Sequence, residues 1–307
     1  MPMIEVRDGT RLYAKVWGEG RPVVLIHGWP LSGDSWDSIS NALAERGFRA
    51  IAYDRRGFGR SDQPSSGYDY DTFADDLGAV IEQCAGGEDV ALVGFSMGGG
   101  EVVRYISRNG GRGVRQAALI SSVVPYMLQT DDNPNGVPQS IFDGMTEGLL
   151  KDRAHFLQTF FKQFFGVGFV SQPVSDEMMH QAWIVAMQAG LLPTLAAGQA
   201  FATTDFRGDL ASLTMPMLVI HGTADKTVPI DATAREVAKA VPQARLIEYD
   251  GEPHGVFATA TERLTNDLLE FLTSDGTAFG GLDQADPETR QELIDEATRQ
   301  TIVAPGV

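Results

Sequence analysis

Cysteine is nearly missing from this sequence: Cys84 is the single one in 307 residues. A lone thiol cannot close an intrachain disulfide, so stability has to come from a packed core, and a reducing compartment suits the chain. Basic residues are scarce as well. Lys and Arg total 24 against 41 Asp and Glu, a formal net charge of −17, and that leaves no clustered cations for a phosphate-binding surface. Nucleic acid is therefore not an expected partner, and the acidic surplus reads as solubility and self-repulsion. No apolar run approaches the ~20 residues that span a bilayer, and Met1-Pro-Met-Ile-Glu lacks a basic stretch leading into an apolar one. No membrane partner is expected, and the cytoplasm is the default location. His and Cys are not paired at zinc-type spacings, so no metal is expected. Internal repeats and low-complexity tracts are absent too.

What the chain does have is Gly94-Phe95-Ser96-Met97-Gly98, directly after the apolar run Val90-Ala-Leu-Val93 and ahead of a helical pattern. Strand, G-x-S-x-G, helix is the nucleophile elbow: a turn so tight that glycines must flank the serine, whose hydroxyl is left exposed above a sheet. A Gly/Ser-rich loop could match the pattern by chance, but the strand before and the helix after favour a catalytic Ser96. A nucleophilic serine needs a base within hydrogen-bond reach and an acid that orients the base. Both occur downstream. Pro216-Met-Leu-Val-Ile220 reads as a buried strand with Asp225 in the loop at its end, and Ala244-Arg-Leu-Ile-Glu-Tyr-Asp250 as another, followed by Gly251-Glu-Pro-His254-Gly255. Residues at the carboxyl ends of parallel strands meet above the sheet. The order Ser96, Asp225, His254 is that of α/β-hydrolases.

The other candidates have plainer readings. His155 and His180 fall in helical, partly apolar stretches; His27 and His221 each precede a glycine at a strand end and read as loop-fixing. Asp54 also ends a strand and is an alternative acid, yet Arg55 and Arg56 beside it suggest an ion pair that holds the next loop. Asp250 reads as a turn residue. For the oxyanion, Val23-Val-Leu-Ile-His-Gly-Trp-Pro30 supplies the loop: the expected donors are the N–H groups of Trp29 and Met97, because Pro30 has none to give. Pro30 also restricts the backbone of Trp29, although a merely rigid turn would look the same.

Apolar runs at 11–17, 22–26, 48–53, 90–94, 116–122, 216–221 and 244–249 alternate, from the third onward, with helical patterns near 71–85, 97–109, 231–241 and 256–272. That alternation predicts an α/β fold around a mostly parallel sheet, with the first two strands joined by Gly18-Glu-Gly20 as an antiparallel lead-in. A core is expected over 1–123 and 209–274. The stretch 124–208 breaks the alternation with aromatic-rich helical patterns, including Phe142, Phe156, Phe160, Phe161, Phe164, Phe165, Trp183 and Phe201, and reads as a helical cap over the catalytic end. Most of these rings must be cap core. Some must line an apolar pocket with few charged contacts, suited to short neutral substrates. The C-terminal extension 275–307 carries a helix start at Asp286-Pro287-Glu288 and apolar Leu293, Ile294 and Ala297, which either dock on the body or contact another subunit, so a homo-oligomer stays open.

Several long motifs now point one way. His27-Gly-Trp-Pro-Leu31, Asp54-Arg-Arg-Gly-Phe-Gly-Arg-Ser-Asp62, Tyr68-Asp-Tyr-Asp-Thr-Phe-Ala-Asp-Asp76, Gly94-Phe-Ser-Met-Gly-Gly-Gly100, Asp205-Phe206, Val219-Ile-His-Gly222 and Pro253-His-Gly255 resemble the cofactor-free (non-haem) haloperoxidase and aryl esterase family of α/β-hydrolases, over about residues 4 to 272. The resemblance implies an eight-stranded, mostly parallel sheet with helices on both faces. It also implies ester hydrolysis through an acyl-enzyme, and perhydrolysis when hydrogen peroxide replaces water. The peracid would oxidise halide away from the protein, so no haem, vanadium or other cofactor is expected. Some similar proteins are γ-lactamases, which keeps lactam and lactone substrates open beside esters. A low-turnover ligand receptor on the same fold is the other class to weigh. By the same resemblance Pro30, Met127, Met145, Phe160, Phe164, Phe201 and Thr227 belong to the substrate pocket, while related dehalogenases and epoxide hydrolases carry aspartate where this chain has Ser96.

Overall fold

A computed structural model describes residues 1–274; the helix expected at Asp286 lies outside them. The centre of the molecule is an eight-stranded sheet in the order β1-β2-β4-β3-β5-β6-β7-β8. The strands are β1 (Met3–Glu5), β2 (Arg11–Trp17), β3 (Arg21–Ile26), β4 (Phe48–Tyr53), β5 (Val90–Phe95), β6 (Val114–Ile120), β7 (Met217–Gly222) and β8 (Ala244–Tyr249). From β4 to β8 every neighbouring pair is parallel, and β1 and β2 run antiparallel at one edge. β5 and β7 are buried along their whole length, because helices cover both faces; that is why these strands read as continuous apolar runs instead of alternating ones.

Two expectations need correction. The lead-in strands do run in opposite directions, but β2 and β3 do not pair: β4 lies between them, antiparallel to β2 and parallel to β3. The Gly18-Glu-Gly20 link passes tightly against the start of β4, where a Cβ on Gly18 would strike the Phe48 carbonyl and one on Gly20 the Gly47 carbonyl. The turn is thus shaped by a third strand, which local sequence does not reveal. The alternation also begins earlier than expected. Helix α1 (Asp37–Glu45) connects β3 to β4 and buries Ile39, Ser40 and Leu43. Its polar residues Ser38, Asn41 and Glu45 hide a short apolar stripe.

Helices α2 (Tyr70–Val80) and α3 (Met97–Asn109) flank the elbow strand. Asp69 caps α2 by accepting from the Thr72 N–H at 2.9 Å, and left-handed Gly110 ends α3, the usual device for closing a helix C-terminus. Between β6 and β7 the chain leaves the sheet for α4 (Gln139–Phe164), α5 (Asp176–Met187) and α6 (Leu191–Thr203). α4 breaks at Asp152, which has φ −160° and ψ 87°; its carboxylate caps the second half by accepting from His155 N–H at 3.0 Å. α7 (Ala234–Ala240), α8 (Val256–Thr259) and α9 (Thr261–Thr273) complete the core. Among the described residues no single helix is long and apolar enough to cross a membrane.

Candidate active site

Ser96 directly follows β5 with φ 53° and ψ −118°, a backbone state that costs a non-glycine residue of order 1–3 kcal/mol and survives only where surroundings enforce it. They do so here. A Cβ on Gly94 would come within 2.5 Å of the Gly98 carbonyl oxygen, and one on Gly98 within 2.5 Å of the Ile26 oxygen. Strand, turn and helix are therefore packed backbone to backbone, and any larger residue at either glycine would open the elbow.

The carboxyl ends of β7 and β8 bring the partners. His254 Nε2 lies 3.0 Å from Ser96 Oγ, and His254 Nδ1 lies 2.6 Å from Asp225 Oδ2. All three residues are buried. The histidine loop is tied to α4 through Gly255 N–H, which donates to the Phe164 carbonyl at 2.9 Å. The imidazole packs between the rings of Phe164 and Phe95, at centroid distances of 4.8 and 5.1 Å. Asp225 Oδ1 accepts from the backbone N–H groups of Thr227 and Val228, both at 2.8 Å. Burial opposes ionisation of this carboxyl, but His254 and His221 outweigh it and hold its pKa below the usual carboxylate range.

The loop after β3 reaches the same place. A Cβ on Gly28 would meet the Ser96 Cβ at 2.9 Å, so only glycine lets the backbone leading into Trp29 pass so near the serine. Met97 opens α3, where a first-turn N–H has no intrahelical acceptor and points at the ligand side. Beneath Trp29 and Met97 runs a buried polar network that sequence reading missed. Arg55 pairs with Glu101 on α3 and donates through Nη2 to the His27 carbonyl at 2.6 Å. Tyr53 Oη donates to Glu101 at 2.5 Å. The Arg55 N–H donates to His27 Nε2 at 3.0 Å, so the imidazole proton is on Nδ1, 2.9 Å from the Gly28 carbonyl. Burial and the Arg55 charge hold His27 well below its usual pKa, hence neutral. Signals for this network existed: a lone acid in the otherwise apolar Met97-Gly-Gly-Gly-Glu101-Val-Val103, and the Arg55 of the long motif.

The remaining rivals sit elsewhere. Asp54 accepts from Gly33 N–H at 2.8 Å and from the N–H and Nε of Arg60, both at 2.8 Å; it staples the loops that follow β3 and β4. His221 Nε2–H donates to the Val228 carbonyl at 2.9 Å and lies 3.2 Å from Asp225 Oδ2. It supports the acid's loop. Asp250 accepts from Thr223 Oγ1 at 3.2 Å in an exposed turn. Among the described residues no group of three or more His, Cys, Asp or Glu side chains could hold a metal ion.

Above Ser96 and His254 lies a cavity of about 520 Å³. Met127, Met145, Phe160, Phe201 and Thr227 are in its wall, as expected, and so is Trp29. Phe164 and Pro30 are not. Phe164 is fully buried behind the imidazole, so it steadies the base instead of meeting substrate, and at the loop it is Trp29 whose ring faces the cavity. That ring meets Phe160 edge-on at 5.3 Å and Phe201 at 5.7 Å, and its Nε1–H donates to the Thr194 carbonyl on α6 at 2.9 Å. Gln163 and Lys226 also line the cavity; the Lys226 cation was missed, although its place beside Asp225 at a strand end was the signal.

Known proteins match this arrangement along the whole described fold. The model of the alpha/beta hydrolase fold family matches residues 21–261. The chain is 42% identical to the non-heme chloroperoxidase CPO-A1 of Kitasatospora aureofaciens, over 89% of this chain and 99% of that one. It belongs to the α/β-hydrolase family, in its non-haem haloperoxidase branch. The bifunctional esterase/perhydrolase DCH of Acinetobacter calcoaceticus is 38% identical, over 89% of this chain and the full length of the relative. A crystal structure of bromoperoxidase from Bacillus anthracis superposes with a TM-score of 0.86 at 41% identity, covering 89% of this chain and 99% of that one. In this branch the nucleophile elbow is expected at the strand end where Ser96 stands.

Proposed function

We propose that this protein is a serine hydrolase that cleaves short carboxylic esters through an acyl-enzyme, with Ser96 as nucleophile, His254 as general base and acid, and Asp225 as its orienting partner. One observation carries the reading: the Ser96–His254–Asp225 line at 3.0 and 2.6 Å, opening onto a largely apolar cavity. Ser96 Oγ attacks the acyl carbonyl as His254 Nε2 takes its proton. The N–H groups of Trp29 and Met97 receive the oxyanion. His254 then returns the proton to the departing alcohol, and water, deprotonated by the same histidine, releases the acid and regenerates Ser96. An apolar wall suits small esters such as phenyl acetate, while lactones and γ-lactams are further substrates of the same chemistry. The helices from α4 to α6 act as the cap that shapes acyl and alcohol preference. The single, buried thiol of Cys84 supports a reducing, cytoplasmic setting.

Perhydrolysis is the second activity, supported by the chloroperoxidase, bromoperoxidase and esterase/perhydrolase relatives. Hydrogen peroxide takes the place of water on the acyl-enzyme, giving a peracid and free Ser96; the peracid oxidises halide in solution. Pro30, by restricting the backbone of Trp29, is positioned to tune the acceptor that meets peroxide. Ser96→Ala should abolish both activities, and a serine-directed phosphonate should label Ser96 in the wild type, with a burst of phenol on phenyl acetate followed by steady turnover. Full esterase activity in Ser96→Ala would overturn the assignment, and a burst without turnover would make the protein a receptor. Bromination should require a carboxylate, and Pro30→Leu should lower the perhydrolysis-to-hydrolysis ratio; an unchanged ratio would leave a plain esterase.

A further inference from the structure

Two polar side chains in the cavity wall have no role in the triad. Thr227 lines the cavity, yet its Oγ1 is buried and has no hydrogen-bond partner among the described residues. Such a group costs roughly 1–3 kcal/mol unless something supplies a partner. Its neighbour Lys226 is exposed in the same wall, and no carboxylate within the described residues pairs with it. It is also the single charged side chain in that wall, which includes no Asp or Glu. The backbone around both is held firmly: Thr227 N–H donates to Asp225 Oδ1 at 2.8 Å, and Gln163 Nε2 donates to the Lys226 carbonyl at 3.1 Å. The loop that holds the triad acid therefore places an unpaired cationic side chain in the wall of the substrate cavity, next to a threonine whose hydroxyl is covered.

An unpaired ammonium in a wall with no other charged side chain is a partner for a carboxylate. The remainder of the protein makes it selective, since a net charge of −17 repels small anions from most approaches and leaves this mouth as a local exception. We propose that Lys226 recognises a carboxylate carried by the substrate away from the scissile bond, so that carboxylate-bearing esters are a preferred substrate class. The proposal rests on the ester-hydrolase reading above and adds a charge requirement that the apolar wall alone does not contain.

The experiment compares kcat/KM for 4-acetoxybenzoate, with the anion on the alcohol side, against its neutral methyl ester, and for monophenyl adipate, with the anion on the acyl side, against methyl phenyl adipate. The charged-to-neutral ratio should fall about two- to fivefold in Lys226→Gln, the range of an exposed charge pair, fall further in Lys226→Glu, and be kept in Lys226→Arg. Rising salt should lower the same ratio in the wild type. A response of one ester pair alone tells which side of the scissile bond the anion occupies, and either result supports the site. Ratios that stay level in Lys226→Gln for both pairs overturn it. Absence of turnover on every ester would instead defeat the hydrolase assignment, since phenyl acetate serves as the common control.

Discussion

The sheet side of the active site and the helices above it are held by different forces. Beneath Ser96 the fixing contacts are ionic and directional: Arg55 with Glu101, Arg60 with Asp54 at 2.8 Å, Arg56 with Asp76 at 2.6 Å, and Asp225 with His254 at 2.6 Å. In α4 to α6 the buried residues are almost all apolar, with Phe142, Leu149, Leu157, Phe161 and Phe164 in α4 alone. Aromatic rings such as Phe160 against Trp29 and Phe142 against Phe201, at 5.3 and 6.3 Å, do the joining. Directional bonds suit groups whose positions must hold to a fraction of an ångström for proton transfer. Non-directional contacts suit a wall whose shape can change while the reaction stays the same.

The strongest test of that contrast is at the triad. Asp225→Asn should lower kcat by about four powers of ten, because an amide presents the wrong partner to the imidazole, with the fold monitored by circular dichroism. A loss of less than about tenfold would remove Asp225 from the mechanism. Next comes the network under the oxyanion donors. Arg55→Met leaves Glu101 buried and unpaired, which should cost several kcal/mol of stability. The double variant Arg55→Met with Glu101→Met should regain much of that stability while kcat stays about ten- to a hundredfold low at unchanged KM, because His27 and the Trp29 loop lose their tether. Recovery of kcat along with stability would reduce the network to packing.

Changes on the helical side should be milder and different in kind. Phe201→Leu, which keeps an apolar wall while removing the ring beside Trp29, should shift the preference between phenyl acetate and phenyl butyrate severalfold, with no change in the pH profile. A uniform fall for all esters would mean that the helices also position the reacting groups. The smallest effect belongs to a surface bond at the edge of the ionic region. Asp8 is held by Arg56 and by Thr10 at a pKa of about 2. A carboxyl depressed in the folded state stabilises above its unfolded pKa and loses that contribution as pH falls toward the folded value. Asp8→Asn should therefore lower stability by less than about 1 kcal/mol near neutrality, given solvent screening, and the gap to wild type should close between about pH 4 and pH 2. A gap that persists at pH 2 would mean a packing effect.

Much of the site was legible because its signals are local. The elbow needs glycines next to its serine; an acid or base at the end of a buried strand follows that strand within a few residues; a donor loop announces itself by Gly28 before Trp29 and Pro30 after it. The antiparallel pairing of β2 with β4 was not legible, since a link of Gly18-Glu-Gly20 looks the same whether its strands touch or admit a third between them. Helix α1 was missed because its apolar stripe is short and interrupted by polar residues.

By itself, then, the sequence determined the strand and helix alternation and singled out Ser96, Asp225 and His254 as candidates for the triad and Trp29 and Met97 as candidate donors, because turn geometry and burial restrict which residue types can stand at each of those places. The tertiary structure decided the rest. It set Phe164 behind the imidazole instead of in the pocket, joined Arg55 to Glu101 across two elements, and put Lys226 in the cavity wall. Each of these depends on segments far apart in the chain, such as Gly255 N–H bonded to Phe164 O, and a side chain's role there is set by what another segment brings to it, which no local pattern records.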